Sequence, residues 1–169
     1  MNRLGNVRVL IVEDHFNMRR LWRSILFGFG IRDVYDAANA LDAIEILKLS
    51  PVDVMIVDYH LEDLNGAEFV NMVRKGSDSP APHVPAIACS SDTRRSVIKD
   101  WVNAGVDEIL AKPVSAEQAW QKLYMITNKR RDFVSAPRYF GPDRRRRPSP
   151  FMGAEERRVI IQHDDCFVD

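Results

Sequence analysis

The sequence predicts an α/β fold: a five-stranded parallel sheet, doubly wound with helices on both faces, that ends in a basic C-terminal arm. Two observations predict the sheet. Over residues 1–127, short apolar runs rich in Val and Ile alternate with longer amphipathic stretches, and that alternation occurs five times, the pattern of repeated βα units. A third observation predicts the arm. The formal net charge of the 169 residues is zero, yet residues 1–127 hold 14 Lys and Arg against 17 Asp and Glu, while residues 128–158 hold 10 against 4.

Taken in order, the first strand is "VRVLIV" (7–12), which ends in Glu13 and Asp14 and leads to a helix over 16–28, with Gly30 just beyond as a stop signal. The second strand is "DVYDA" (33–37), and Asn39 is placed to cap a helix over 39–49. "DVMIVD" (53–58) supplies the third strand, ending in Asp58, with a helix over 66–75. "PAIACS" (85–90) ends in Ser90 and Ser91 and precedes a helix over 93–103 that Gly105 terminates. "DEILA" (107–111) is the fifth strand; Lys112 and Pro113 follow it, and Ser115 caps a helix over 115–128.

From Lys129 the composition changes. Prolines interrupt any helix, aliphatic residues thin out and charge is dense, so residues 128–169 are expected to form an arginine-rich extension that is mobile without ligand. "RVIIQ" (158–162) reads either as one strand or as an apolar plug. Cys89 and Cys166 form no disulfide framework, and His15, His60, His83 and His163 lack zinc-ligand spacing. No apolar run approaches the ~20 residues of a membrane span and the N-terminus lacks a signal peptide's apolar region, so membrane insertion is not expected and a cytoplasmic location is.

In an open parallel sheet the ligand site lies at the C-terminal edge of the strands. That edge would gather Glu13, Asp14, Asp58, Ser90 and Lys112. Clustered carboxylates repel one another unless a cation joins them, and hard oxygen ligands suit Mg²⁺. A hydroxyl and an ammonium beside them would complete the equipment for moving a phosphoryl group onto a carboxylate.

The segments "VEDH", "IVDYHLEDLNG", "ACSSD" and "AKP" resemble the receiver domain of CheY-like two-component response regulators over residues 7–127. The resemblance implies the strand order 2-1-3-4-5. It makes Asp58 the phosphorylation site and a metal ligand, Asp14 a direct Mg²⁺ ligand, and Glu13 a ligand through water. His60 would offer the metal its backbone carbonyl, Ser90 and Lys112 would support the phosphoryl group, and Pro113 would follow a cis bond. A histidine kinase is the implied phosphoryl source. One residue departs from the pattern: Ile109 stands where such receivers place Tyr or Phe as a rotamer switch, which weakens the expected route from phosphorylation to the last helix.

The arm "APRYFGPDRRRR" (136–147) sets a cation beside two rings, then a turn, then an aspartate inside a basic run. For a plain phosphate-backbone patch Asp143 is a liability, so DNA is not favoured. Guanine gives it a purpose. Arginine can donate two hydrogen bonds to O6 and N7 or stack on the base, and a carboxylate can accept from N1 and N2. Cyclic di-GMP joins guanines and phosphates in one compact molecule. At this level the chain is similar to the Cle group of CheY-like proteins, receivers whose arginine-rich extension binds cyclic di-GMP and then engages the flagellar motor. The resemblance implies that Arg138, Tyr139, Asp143, Arg144, Arg145, Arg146 and Arg147 bind the nucleotide, with Arg157 and Arg158 as a second half. It also implies a flagellar motor switch component as partner and recruitment to the motor at a cell pole. Two other readings stay open: a phosphorelay receiver acting through Asp58, and a nucleic-acid-binding regulator using the basic arm. Nothing in the sequence resembles a substrate pocket or an independent catalytic base, so an enzyme is not expected.

Overall fold

The computed structural model describes residues 4–76, 78–145 and 159–161. Five βα units occupy the first part of the chain: β1 (Val9–Val12), α1 (Phe16–Gly28), β2 (Val34–Ala37), α2 (Ala40–Leu49), β3 (Val54–Asp58), α3 (Gly66–Lys75), β4 (Ala86–Ser90), α4 (Arg95–Ala104), β5 (Glu108–Ala111) and α5 (Ala116–Asn128). The five strands form one parallel sheet in the order β2-β1-β3-β4-β5, as expected.

Alternation along the strands explains the two covered faces. Leu10, Val12, Met55, Val57, Ala86 and Ala88 point to the face that α2, α3 and α4 cover with Leu47, Phe69, Val70, Val73 and Trp101. Val9, Ile11, Ile56, Ile87 and Cys89 point to the other face, against Trp22 and Leu26 of α1 and Leu123 and Ile126 of α5. A sheet buried on both sides needs apolar residues at consecutive positions, which is why its strands read as continuous Val/Ile runs.

Helix ends follow local chemistry. Asn39 accepts from the Asp42 N–H at 2.8 Å, and Ser115 accepts from the Gln118 N–H at 3.2 Å. Gly105 ends α4 in the left-handed region at φ 89°. Helix α3 begins with a capping box between Asn65 and Glu68 that the sequence reading passed over. The first and third strands begin later than expected, because Arg8 and Asp53 pair with each other just before the sheet: three Arg8 donors reach the Asp53 carboxylate at 2.8 Å each.

After α5 the structure differs from the expected arm. The prolines exclude helix but not strand, and β6 (Phe133–Ala136) and β7 (Tyr139–Pro142) form an antiparallel hairpin. A further strand, β8 (Val159–Ile161), pairs with the open side of β6, which resolves the 158–162 alternatives in favour of a strand. The hairpin is docked on the receiver. Phe133 is fully buried and meets Phe140, His83 and the Arg74 guanidinium at centroid distances of 5.7, 5.2 and 5.1 Å. Gly141 passes so close to Gly105 that a Cβ on it would lie 2.8 Å from the Gly105 Cα.

Arg74 is the hinge of this docking. Its side chain is fully buried, donates to the carbonyls of Gly105 and Pro82 at 3.1 and 2.9 Å, and pairs with Asp107 at 3.4 Å. Burial pushes the guanidinium down to about 10 and the Asp107 carboxyl up, so both charges cost desolvation that the pair offsets.

Candidate functional site

The strand ends converge as the parallel sheet requires. Asp58, the last residue of β3, is buried; its carboxylate contacts Lys112 Nζ on one oxygen and accepts the His60 N–H at 3.0 Å on the other. Lys112 follows β5, is held in register by its N–H to the Ser90 carbonyl at 2.9 Å, and precedes a cis bond to Pro113, as the sequence implied. Its ammonium also pairs with Glu13 at 2.9 Å. Ser90 ends β4, buried, with its hydroxyl accepting the Asp92 N–H at 3.0 Å.

Electrostatics follow from burial and neighbours. Burial raises the Glu13 carboxyl above its ordinary range, against the pull of Lys112. Burial would also raise Asp14, but the adjacent His15 ring, 2.5 Å away, outweighs it and holds Asp14 low. For Lys112 burial acts to lower the ammonium, and the hydrogen bonds it donates to Asp58 and Glu13 more than offset it, so it stays charged.

The donor set suits Mg²⁺. Glu13, Asp14 and His15 present ligand atoms within 4.8 Å of one another, and Asp58 lies on the same edge, bridged to Glu13 by the Lys112 ammonium. Oxygen ligands outnumber the one imidazole, which favours a hard cation over zinc. His15 was missed by the sequence reading even though it sits inside the "VEDH" segment. His60 brings its backbone N–H to Asp58, while its ring is exposed and meets the Tyr59 ring edge-on at 5.2 Å.

Ile109 is half-buried against the cluster beneath α4, so no ring rises from β5 at that level. The ring beside the site is Tyr59, next to the acceptor aspartate. It packs edge-on against Trp101 at 5.5 Å and donates to Asp100 on α4 at 3.5 Å.

The arm residues lie at the opposite edge of the sheet, and the structure brings together only some of them. Arg138, Tyr139 and Arg144 share the wall of a cleft of about 660 Å³ that runs between α3 and α4. Arg144 stacks on the Tyr139 ring, 3.9 Å from its centroid. The Asp143 carboxylate accepts the Arg145 N–H at 3.0 Å, and Arg145 lines a separate pocket beside α5 with Arg130 and Arg131. Arg146, Arg147, Arg157 and Arg158 lie outside the described residues, as does half of the run expected to be mobile. No helix among the described residues is long and apolar enough to cross a membrane.

Comparison with known proteins agrees with this geometry. The family profile of the response regulator receiver domain matches residues 9–124. Among curated relatives, chemotaxis protein CheY-3 of Vibrio cholerae is 27% identical over 118 residues, 70% of this chain and 89% of that protein. Chemotaxis protein CheY1 of Helicobacter pylori is 28% identical over 121 residues, 71% of this chain and 96% of that one. Among solved structures, Vibrio cholerae CheY4 superposes with a TM-score of 0.65 at 25% identity, covering 71% of this chain and 98% of the other. The receiver domain of a sensor histidine kinase from Pseudomonas aeruginosa, solved with a magnesium ion in its active site cleft, gives a TM-score of 0.62 at 23% identity, covering 70% and 94%. The family profile stops within α5, and the hairpin and arginine run lie beyond it.

Proposed function

The chain belongs to the response regulator receiver family, and from that premise we propose that it is a CheY-like response regulator that receives a phosphoryl group on Asp58 and binds cyclic di-GMP through its arginine-rich extension. The observation that carries the first part is the Asp58 carboxylate held against Lys112, with Glu13 and Asp14 on the same edge. A carboxylate oxygen of Asp58 attacks the phosphorus of a kinase phosphohistidine; the new P–O bond forms as the P–N bond breaks, and the departing imidazole takes a proton from water. Lys112 pairs with the transferred phosphoryl oxygens, and Ser90, whose hydroxyl now rests on the Asp92 backbone, turns toward them. Glu13, Asp14, Asp58 and the His60 carbonyl would hold Mg²⁺, which supplies charge neutralisation at those oxygens. The protein acts as a switch and not as an enzyme with a substrate pocket of its own.

The second part is supported by Arg138, Tyr139 and Arg144 meeting at one cleft, with the Arg144 guanidinium already over the Tyr139 ring. A guanine laid on the free face of that guanidinium would extend the stack, and the remaining cations suit its phosphates. The ligand-bound extension would then present a surface to a flagellar motor switch component in the cytoplasm, at a cell pole. Titration calorimetry of cyclic di-GMP into the full chain, with GTP and a short DNA duplex as controls, tests this reading. Selective micromolar or tighter binding upholds it. Preference for the duplex, with an affinity that falls steeply with salt, would replace it by nucleic-acid binding.

A further inference from the structure

The cleft under the hairpin has two walls, and the sequence accounts for only one. The receiver wall is built by α3 and α4. Glu68, Asn71 and Lys75 stand at three- and four-residue spacing on one face of α3, and Asp100, Asn103 and Ala104 do the same on α4. Ala67 and Ala104 keep the groove open, since neither fills it with side chain.

Its chemistry is graded along its length. At the hairpin end lie the cations Lys75, Arg138 and Arg144; Lys75 Nζ donates to the Arg138 carbonyl at 3.1 Å and ties the hairpin turn to the end of α3. At the other end lie Glu68 and Asp100, each with a carboxylate oxygen used only once, by the Asn65 N–H at 3.1 Å and the Tyr59 hydroxyl at 3.5 Å. Between them sit the exposed amides of Asn71 and Asn103, which have no hydrogen-bond partner among the described residues.

We propose that this cleft is a nucleotide site shared between arm and receiver, in which α3 and α4 bind one guanine nucleotide unit of the ligand. The proposal rests on the cyclic di-GMP reading above and assigns that ligand a second wall. A guanine nucleotide is itself graded in the same way: its phosphate needs the cations, its N1 and N2 protons need carboxylates, and its O6 and N7 edge suits the two-sided donors and acceptors of an amide. A cleft of this volume is within the ~300–1,000 Å³ range of small-molecule sites. In the cleft the arm supplies Arg138, Tyr139 and Arg144 for stacking and phosphate contacts, and the receiver wall would add carboxylates and amides to the edges of the base.

The test is calorimetric titration of cyclic di-GMP into three full-length proteins: the wild type, an Asn71→Ala/Asn103→Ala double variant, and Arg144→Ala. Alanine at two exposed helical positions favours the helix, so the double variant keeps its fold. The expected result is affinity weaker by about tenfold or more in the double variant, the scale of losing one or two hydrogen bonds to a bound base, with Arg144→Ala weakened as well. If the double variant binds as tightly as wild type while Arg144→Ala is weakened, the receiver wall is overturned and the arm reading survives. If wild type does not bind, both are overturned together.

Discussion

Phe133→Ala separates the stability of the hairpin from that of the receiver. Phe133 is fully buried, yet it belongs to neither apolar cluster of the five-stranded sheet; its neighbours are Phe140, His83 and the guanidinium groups of Arg74 and Arg130. Truncating a buried Phe costs about 3–5 kcal/mol when the surrounding structure stays in place. Here the hairpin can leave instead. It joins the receiver through one covalent connection after α5, so its release as a unit limits what the sheet itself loses. With ~3 kcal/mol removed from docking, the open population rises about 10²-fold. Two measurements read this. Amide hydrogen exchange across residues 133–142 should accelerate by about that factor, while urea unfolding followed by the buried Trp22 and Trp101 should shift by ~1 kcal/mol or less. Unchanged exchange in the hairpin, or a receiver transition that falls by the full ~3 kcal/mol, would refute the claim that the hairpin is a separately docked element.

Three further outcomes follow from particular contacts. Asp58→Asn should abolish mass gain on incubation with acetyl phosphate and Mg²⁺, and Lys112→Ala, which removes the ammonium against Asp58, should slow it by about 10²-fold in the same assay. Gly105→Ala places a Cβ 2.8 Å from the Phe140 carbonyl at a φ of +89°, and should cost about 1–2 kcal/mol in urea unfolding while raising proteolysis at Arg138. At Asp53, burial would raise the carboxyl but the Arg8 hydrogen bonds outweigh it, so its folded value is depressed. A depressed carboxylate contributes stability above its unfolded value, near ~3.9, that disappears as pH falls through the folded one. Asp53→Asn should therefore cost about 1–2 kcal/mol near pH 6, discounted for the half-exposed Arg8, and the two stability curves should converge as pH falls through the depressed value of Asp53.

The sheet was legible because both of its faces are covered. A strand such as Val9–Val12 must be apolar at every position, and Asp58 or Ser90 at the end of such a run can point only to the ligand edge. Caps at Asn39, Ser115 and Gly105 were legible for the same local reason, since each satisfies backbone groups within a few residues. The hairpin was not. Its own packing is led by Phe133, Val134 and Phe140, and what makes them a core is a wall contributed from far away in sequence by Arg74 and His83. Prolines 137 and 142 read as breakers of order, although at a turn and a strand end they are compatible with it. The receiver wall of the cleft was equally hidden: Asn71 and Asn103 are ordinary exposed helical residues until the two helices are set side by side.

The phosphoryl site and the cleft share one pair of helices. Helix α3 starts beside the acceptor aspartate, where a Cβ on Gly66 would overlap the Asp58 carbonyl and the Gly66 N–H donates to Tyr59 at 2.7 Å. It ends at Arg74, whose guanidinium lies over the Phe133 ring, and Lys75, which donates to the Arg138 carbonyl. Helix α4 repeats the arrangement, with Asp100 and Trp101 in contact with Tyr59 and Gly105 against the hairpin backbone. Ile109 leaves no ring on β5 at that level, and the large side chain next to Asp58 is Tyr59, which packs against Trp101 of α4. A ligand in the cleft touches both helices along their length, and can bias only what differs between their arrangements. A ligand that binds the two arrangements of α3 against α4 unequally would have its affinity changed by a phosphoryl group on Asp58, and by the same factor it would change the phosphorylation equilibrium. The position of the cleft, more than its distance from Asp58, is what makes the two chemistries answerable to each other.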